Sequence, residues 1–301
     1  SSISHQGLLT LEQGSAVDSV KKSWVFRITI AWFALVTFFA IFGPLLPLPK
    51  WDQVFDDALS VTPFKQGHLF GTDSNGYDIF SGIVYGARIS LFISFTAVFV
   101  GGTIGSAIGI SAAYVRGKFD YVVSTLFNVV LSIPNLVLSL ALIAVLATNV
   151  DPNVPTSTGR RIMVLVISLT IVIIPILGRI ARAATLSWSN REFVLAARSM
   201  GSKDRNIIWR HIVPNVLPAI FAVAFLAIGV VIVAEASLSL LGAGVPDGTS
   251  WGSMVARGRN DIEFAPHIII IPLVFIALTV IACNYIGDVI RKQLDQRQAK
   301  L

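Results

Sequence analysis

Six apolar blocks, each close to or above twenty residues, divide this 301-residue chain. They cover Trp24–Leu46, Ile89–Tyr114, Tyr121–Ala147, Ile162–Ile180, Val216–Leu241 and Pro266–Ile290. A helix rises about 1.5 Å per residue, so roughly twenty residues cross a hydrocarbon core of about 30 Å. Lipid offers backbone groups no hydrogen bonds, so only helices and closed barrels span it. These blocks are continuous rather than alternating, which selects helices. The expectation is an all-α, polytopic membrane protein with six transmembrane helices.

Only 13% of the residues are charged, and they sit largely between the blocks. With the N-terminus inside, sixteen of the 23 Lys and Arg residues fall on inner segments, among them Lys21, Arg116, Arg182, Arg198, Lys203 and Arg291. Seven fall outside: Lys50, Lys65, Arg88, Arg160, Arg161, Arg257 and Arg259. The positive-inside rule therefore places both termini in the cytoplasm. The basic balance is a membrane signature and does not call for nucleic acid. No cleavable signal is expected, because the first apolar run is too long for a signal core and has no small-residue cleavage site after it.

This divides the chain into a cytoplasmic tail (1–23), a first helix with a long outer segment (24–88), a helical core (89–290) and a second cytoplasmic tail (291–301). Turn formers mark the breaks, as in the Asp151–Gly159 stretch and in Gly242-Ala-Gly-Val-Pro246. In the outer segment, Thr72 and Asp73 are good N-caps for a helix leading into the second span. Gly101, Gly105 and Gly109 share one helix face and invite close packing of another helix. Pro134, Pro175 and Pro272 lie inside spans, where each should kink the helix or free a carbonyl.

One polar stretch, residues 185–215, interrupts the core. Ser189-Asn-Arg-Glu192 has the form of a capping box, predicting a short helix from about Asn190. Phe193, Ala196, Ala197 and Met200 recur at helical spacing as one apolar stripe beside Glu192 and Arg198. Gly201 supplies a left-handed stop. Ser202 and Asp204 then begin a second short helix, with Ile207, Ile208 and Trp209 facing the bundle. A small-residue stripe suits the groove of a partner protein, and an amphipathic helix of this kind also suits a lipid surface. Periodicity alone does not choose between them.

The run Glu192–Pro214, with Ala196, Ala197, Gly201 and Pro214 in register, resembles the coupling loop of ABC-transporter permeases. Leu195 stands where the broad consensus has Glu, while Glu192 fits the peptide-transporter branch. His68-Leu-Phe-Gly-Thr-Asp-Ser-Asn-Gly-Tyr-Asp78 is similar to the outer Gly-Thr-Asp motif of dipeptide and oligopeptide permeases, with Tyr77 where Arg is usual. Glu235–Pro246, Ser250–Met254 and Asn284–Asp288 resemble further segments of the dipeptide, oligopeptide and nickel importer family, of the C-type peptide permease subunit in particular. The resemblance implies the type I ABC importer fold. Glu192, Phe193, Ala196, Ala197, Arg198, Met200, Gly201 and Asp204 would couple to an ATPase. It further implies a homologous second permease subunit, two cytoplasmic ABC ATPase subunits that use ATP and Mg, and an extracytoplasmic substrate-binding protein.

No phosphate-cradling loop, His-Glu-x-x-His run, cysteine pair or Gly-x-Ser-x-Gly elbow is present in the sequence, so no catalytic residue, metal site or cofactor of its own is expected. Glu235 is the one acid well inside a predicted span, where carboxylates are costly and suggest function. Two roles are open to Glu235: internal hydrogen bonding with Ser237 and Ser239 near an outer gate, or contact with a substrate. The kink at Pro134 is read as shape-setting first, with a gating role as its alternative. Short-peptide import is the leading expectation. Import of nickel, haem or another small solute is the alternative within the family, and an ion-coupled secondary transporter or a membrane-embedded enzyme is the alternative outside it.

Overall fold

The computed structural model describes residues 24–147, 157–246 and 250–298, the last four by backbone only. The tail 1–23, residues 151–156 of the predicted Asp151–Gly159 break, and most of the tail after residue 291, including Lys300, lie outside the residues or side chains described. Among the described residues the chain is helical, with three isolated bridges and no strand. The long helices are α1 (Trp24–Phe42), α2 (Ile79–Val115), α5 (Thr158–Ser189), α8 (Val213–Leu240) and α10 (His267–Gln298). Between them lie α3 (Gly117–Ser132), α4 (Asn135–Leu146), α6 (Glu192–Ser199), α7 (Asp204–Ile207) and α9 (Trp251–Gly258).

Among the described residues, five helices are long and apolar enough to cross a membrane. The predicted third span is not one helix: α3 and α4 meet at 90°. Pro134 lacks an N–H and crowds the residue before it, and Ile133 accordingly takes an extended conformation (φ −85°, ψ 129°). Pro175 and Pro272 sit inside continuous helices. The second span also begins ten residues before its predicted start, so Arg88 lies on α2 rather than in the outer segment.

The centre of the bundle is α2 against α5. Gly101, Gly105 and Gly109 form the contact, as their spacing predicts. A Cβ on Gly105 would lie 2.2 Å from the carbonyl oxygen of Ile174, and one on Gly109 would lie 2.2 Å from that of Gly178. Small residues let the two backbones approach, which in lipid supplies packing that hydrophobicity cannot. One large core joins α1, α2, α5, α8, α9 and α10 through residues such as Val36, Ile83, Leu165, Ile173, Ile232, Trp251 and Ile276. Phe92, Phe99, Tyr121, Val145, Val230 and Ile281 point outward, as a lipid-facing surface requires.

Residues 46–78, assigned to the outer segment by the charge pattern, form a long irregular loop. Asp78, not Thr72 or Asp73, caps α2: its Oδ1 accepts from the Ser81 N–H at 2.7 Å and its Oδ2 meets His68 Nδ1 at 2.7 Å. Thr72 instead receives the Val61 N–H and donates to the Ala58 carbonyl. Oδ1 of Asp73 accepts from the N–H groups of Asn75 and Tyr77, closing a turn. All three are capping residue types, and only the position of the helix start distinguishes them.

Candidate functional site

The polar stretch between α5 and α8 folds back on one end of the bundle, around a small core of its own. Val194 and Ala197 of α6, Ile207 of α7 and Ile212 pack with Ile110, Ala181, Trp188, Val216 and Ile220. The predicted capping box does not form. α5 continues to Ser189, and α6 begins at Glu192 with Arg191 as its N-cap and no side-chain cap. Ser189 and Asn190 instead accept hydrogen bonds from Arg116 at 3.3 and 2.6 Å.

α6 ends as its sequence predicts. Gly201 has φ +79°, its N–H donates to the Arg198 carbonyl, and the Ser202 N–H reaches back to Ala197. This pair of bonds is a Schellman motif, which satisfies carbonyls left open at the end of the helix.

The apolar stripe, however, is divided. Ala197 is only 4% exposed and faces the bundle, so it belongs to the loop's own core and not to a surface. Ala196, Phe193 and Leu195 are exposed, Met200 is 79% exposed, and Glu192 lies on the exposed first turn. A helix carrying Val194 and Ala197 on one side must turn Ala196 and Met200 away from it. Phe193 is held by the rings of Trp188 and His211, each with its centroid 6.1 Å away. Trp209 is corrected as well. Ile207 is fully buried, but Trp209 is 64% exposed, because a π-turn over Ile208–Ile212 rotates the chain before α8.

A polar network fixes the loop to the helix ends. The Tyr114 hydroxyl donates to Asp204, and Arg198 donates to the Tyr114 oxygen at 3.1 Å while its guanidinium lies over that ring at 5.5 Å. Arg182 makes a two-pronged pair with Asp120 at 2.6 and 2.7 Å, joining α5 to the first turn of α3. Tyr114, Arg116, Ser189, Asn190, Leu195, Arg198 and Asp204 line an open cleft of about 630 Å³ beside α6. Tyr114 and Arg116 lie more than seventy residues from their partners. No local pattern marks them as partners of this loop.

Glu235 is 1% exposed on α8. Ser239 and Ser250 donate to its Oε1 at 2.9 and 2.7 Å. Ser239 is therefore a partner as its spacing suggests, whereas Ser237 turns away and donates to the Val233 carbonyl. Ser250 caps α9, so the carboxylate ties α8 to that short helix. Gly252 lies so close that a Cβ on it would come within 2.8 Å of Glu235 Oε2. Pro134 is at the α3–α4 bend, as the residue before α4.

Residues 105–300 match the family described as the binding-protein-dependent transport system inner membrane component. The chain is 34% identical to the dipeptide transport system permease protein DppC of Alkalihalophilus pseudofirmus, over 94% of this chain and 89% of that protein. It is 36% identical to the glutathione transport system permease protein GsiD of Shigella dysenteriae, over 86% of this chain and 82% of that protein. Its fold is similar to a chain in an inward-facing structure of the MetNI methionine ABC transporter, with a TM-score of 0.57 and 21% identity, covering 70% of this chain and 95% of that one. The chain belongs to the binding-protein-dependent transport system inner membrane components, and it is a multi-pass permease subunit of the ABC importer kind.

Proposed function

We propose that this permease forms half of a pathway for short peptides, with both termini and the α6–α7 loop in the cytoplasm and the 46–78 loop outside. The exposed face of α6, made by Phe193, Leu195, Ala196 and Met200, is the observation that carries the coupling role. These four apolar side chains are exposed beside Glu192 and Arg198, they stand at the end of the bundle, and the helix is secured from behind by Val194 and Ala197. Such a face suits a groove on an ATPase. The loop reaches the pathway directly, because α7, the π-turn and α8 form one continuous helical rod over Asp204–Leu240. In this reading ATP and Mg are bound by two partner ATPases, and the chain itself carries out no catalysis. A homologous second permease completes the pathway, and an extracytoplasmic binding protein delivers the solute.

The peptide assignment draws on the relatives, whose named solutes, dipeptide and glutathione, are both short peptides. A dehydrated cation would want several His, Cys or carboxylate ligands. Among the described residues no three such side chains are grouped, and Glu235 is occupied in holding α9. A passage for varied peptides works instead with weak contacts and leaves selection to the binding protein. The test is a complex reconstituted with its own binding protein and offered labelled di- to pentapeptides, nickel and haem. ATP-driven uptake of peptide is expected. Uptake of nickel or haem that no peptide competes with would overturn the solute assignment.

A further inference from the structure

The outer loop is fastened to α9 by one guanidinium. Arg257, in the last turn of α9, lies 3.0 Å from Asp73 Oδ2 as a charge contact, and its Cζ stands 4.6 Å from the centre of the Tyr77 ring. The Asp73 side chain is 4% exposed, and its other oxygen is already committed to the turn at Asn75 and Tyr77. Ser74 adds a hydrogen bond of 2.8 Å to Asp261, just beyond α9. At its opposite end α9 is held by Ser250 to Glu235, and its first residue, Trp251, donates to Ser90 and to the Ile83 carbonyl of α2. The short helix therefore bridges three elements. α8 in turn is the outer part of the Asp204–Leu240 rod that begins in the coupling loop.

Resting on the importer reading above, we propose that Arg257 is a positioning residue of the transport cycle, which makes the outer loop move with α9 and α8. Through this linkage, a displacement of α6 and α7 at the cytoplasmic end shifts the loop on which a solute-loaded binding protein would sit. Asp73 cannot be exchanged cleanly, because its Oδ1 builds the turn. Arg257 can, because a lysine at its position keeps a cation on α9 facing Asp73.

The experiment compares ATPase activity of the reconstituted complex without binding protein and with tripeptide-loaded binding protein. Arg257→Leu is expected to assemble normally and to keep its basal rate, while the stimulated increment falls about tenfold, the range in which a lost coupling contact acts. Arg257→Lys, which keeps the charge contact from α9 to Asp73, is expected to retain most of the increment. A wild-type increment in Arg257→Leu would overturn the proposal. So would an equal loss of basal and stimulated rates, which marks a merely structural residue, or an Arg257→Lys increment as low as that of Arg257→Leu. A wild-type complex that hydrolyses ATP but takes up no tripeptide would instead refute the peptide reading on which the proposal rests.

Discussion

Gly105→Leu is expected to remove nearly all of the protein from the membrane. The Cβ alone would sit 2.2 Å from the Ile174 carbonyl oxygen and 3.0 Å from its carbon, which are backbone atoms with no rotamer to yield. Ordinary overpacking costs about 1–3 kcal/mol. Here α2 and α5 must separate along the contact that also holds Gly101 and Gly109, so the cost lies at or above the top of that range. A chain of marginal stability does not absorb it. Gly159→Ala is the control. Gly159 is in the first turn of α5 with open space around its Cβ position, and alanine favours helix, so membrane levels should stay at or above wild type. Quantitative blotting of membrane fractions checks both. Normal levels of Gly105→Leu would show that the two helices do not pack as described.

Two neighbouring substitutions in α6 should fail in different ways. Ala196→Arg places a charge on the exposed face and leaves the loop's own core intact. Docked into an apolar groove, that charge would be buried without a partner at several kcal/mol. Since about 1.4 kcal/mol is tenfold in affinity, ATPase association should fall on the order of 100-fold, and uptake with it. Protein amount and thermal stability should remain normal. Ala197→Arg instead puts the charge among Trp188, Val194, Ile207 and Ile212. It should lower the amount of folded protein before any question of docking arises. Co-purification with the ATPase, read beside thermal stability, separates the two. If Ala196→Arg binds ATPase as wild type does, the outward face is not the docking face.

The long helices were legible because length and apolar continuity are sufficient signals in lipid, and Gly101, Gly105 and Gly109 declared their contact through spacing alone. Gly201 was legible for a similar reason, since a glycine closing an apolar stripe has few other uses. Pro134 announced a kink, but the 90° turn between α3 and α4 depends on what each half packs against. α2 starts at Ile79 because Asp78 caps it with His68 behind. Local pattern could not rank Asp78 above Thr72 and Asp73. Which of two adjacent alanines faces the bundle depends on where α6 begins, and the start moved from near Asn190 to Glu192 when α5 ran on through Ser189. Arg257 and Tyr114 act across more than eighty residues, a distance at which a single sequence is silent.

Thiol labelling tests the central claim most directly, namely that α6 is the cytoplasmic face on which the ATPase docks. The lone cysteine, Cys283, is fully buried and can be replaced by alanine as background. Single cysteines are then placed at Phe264, 90% exposed in the segment after α9, and at Met200, 79% exposed at the end of α6. An impermeant reagent should label Phe264→Cys on intact cells and leave Met200→Cys untouched. In inside-out vesicles Met200→Cys should label only after the ATPase subunits are stripped away, and should be protected again when they are restored. Labelling of Met200→Cys on intact cells, or equal labelling with and without the ATPase, would contradict the account.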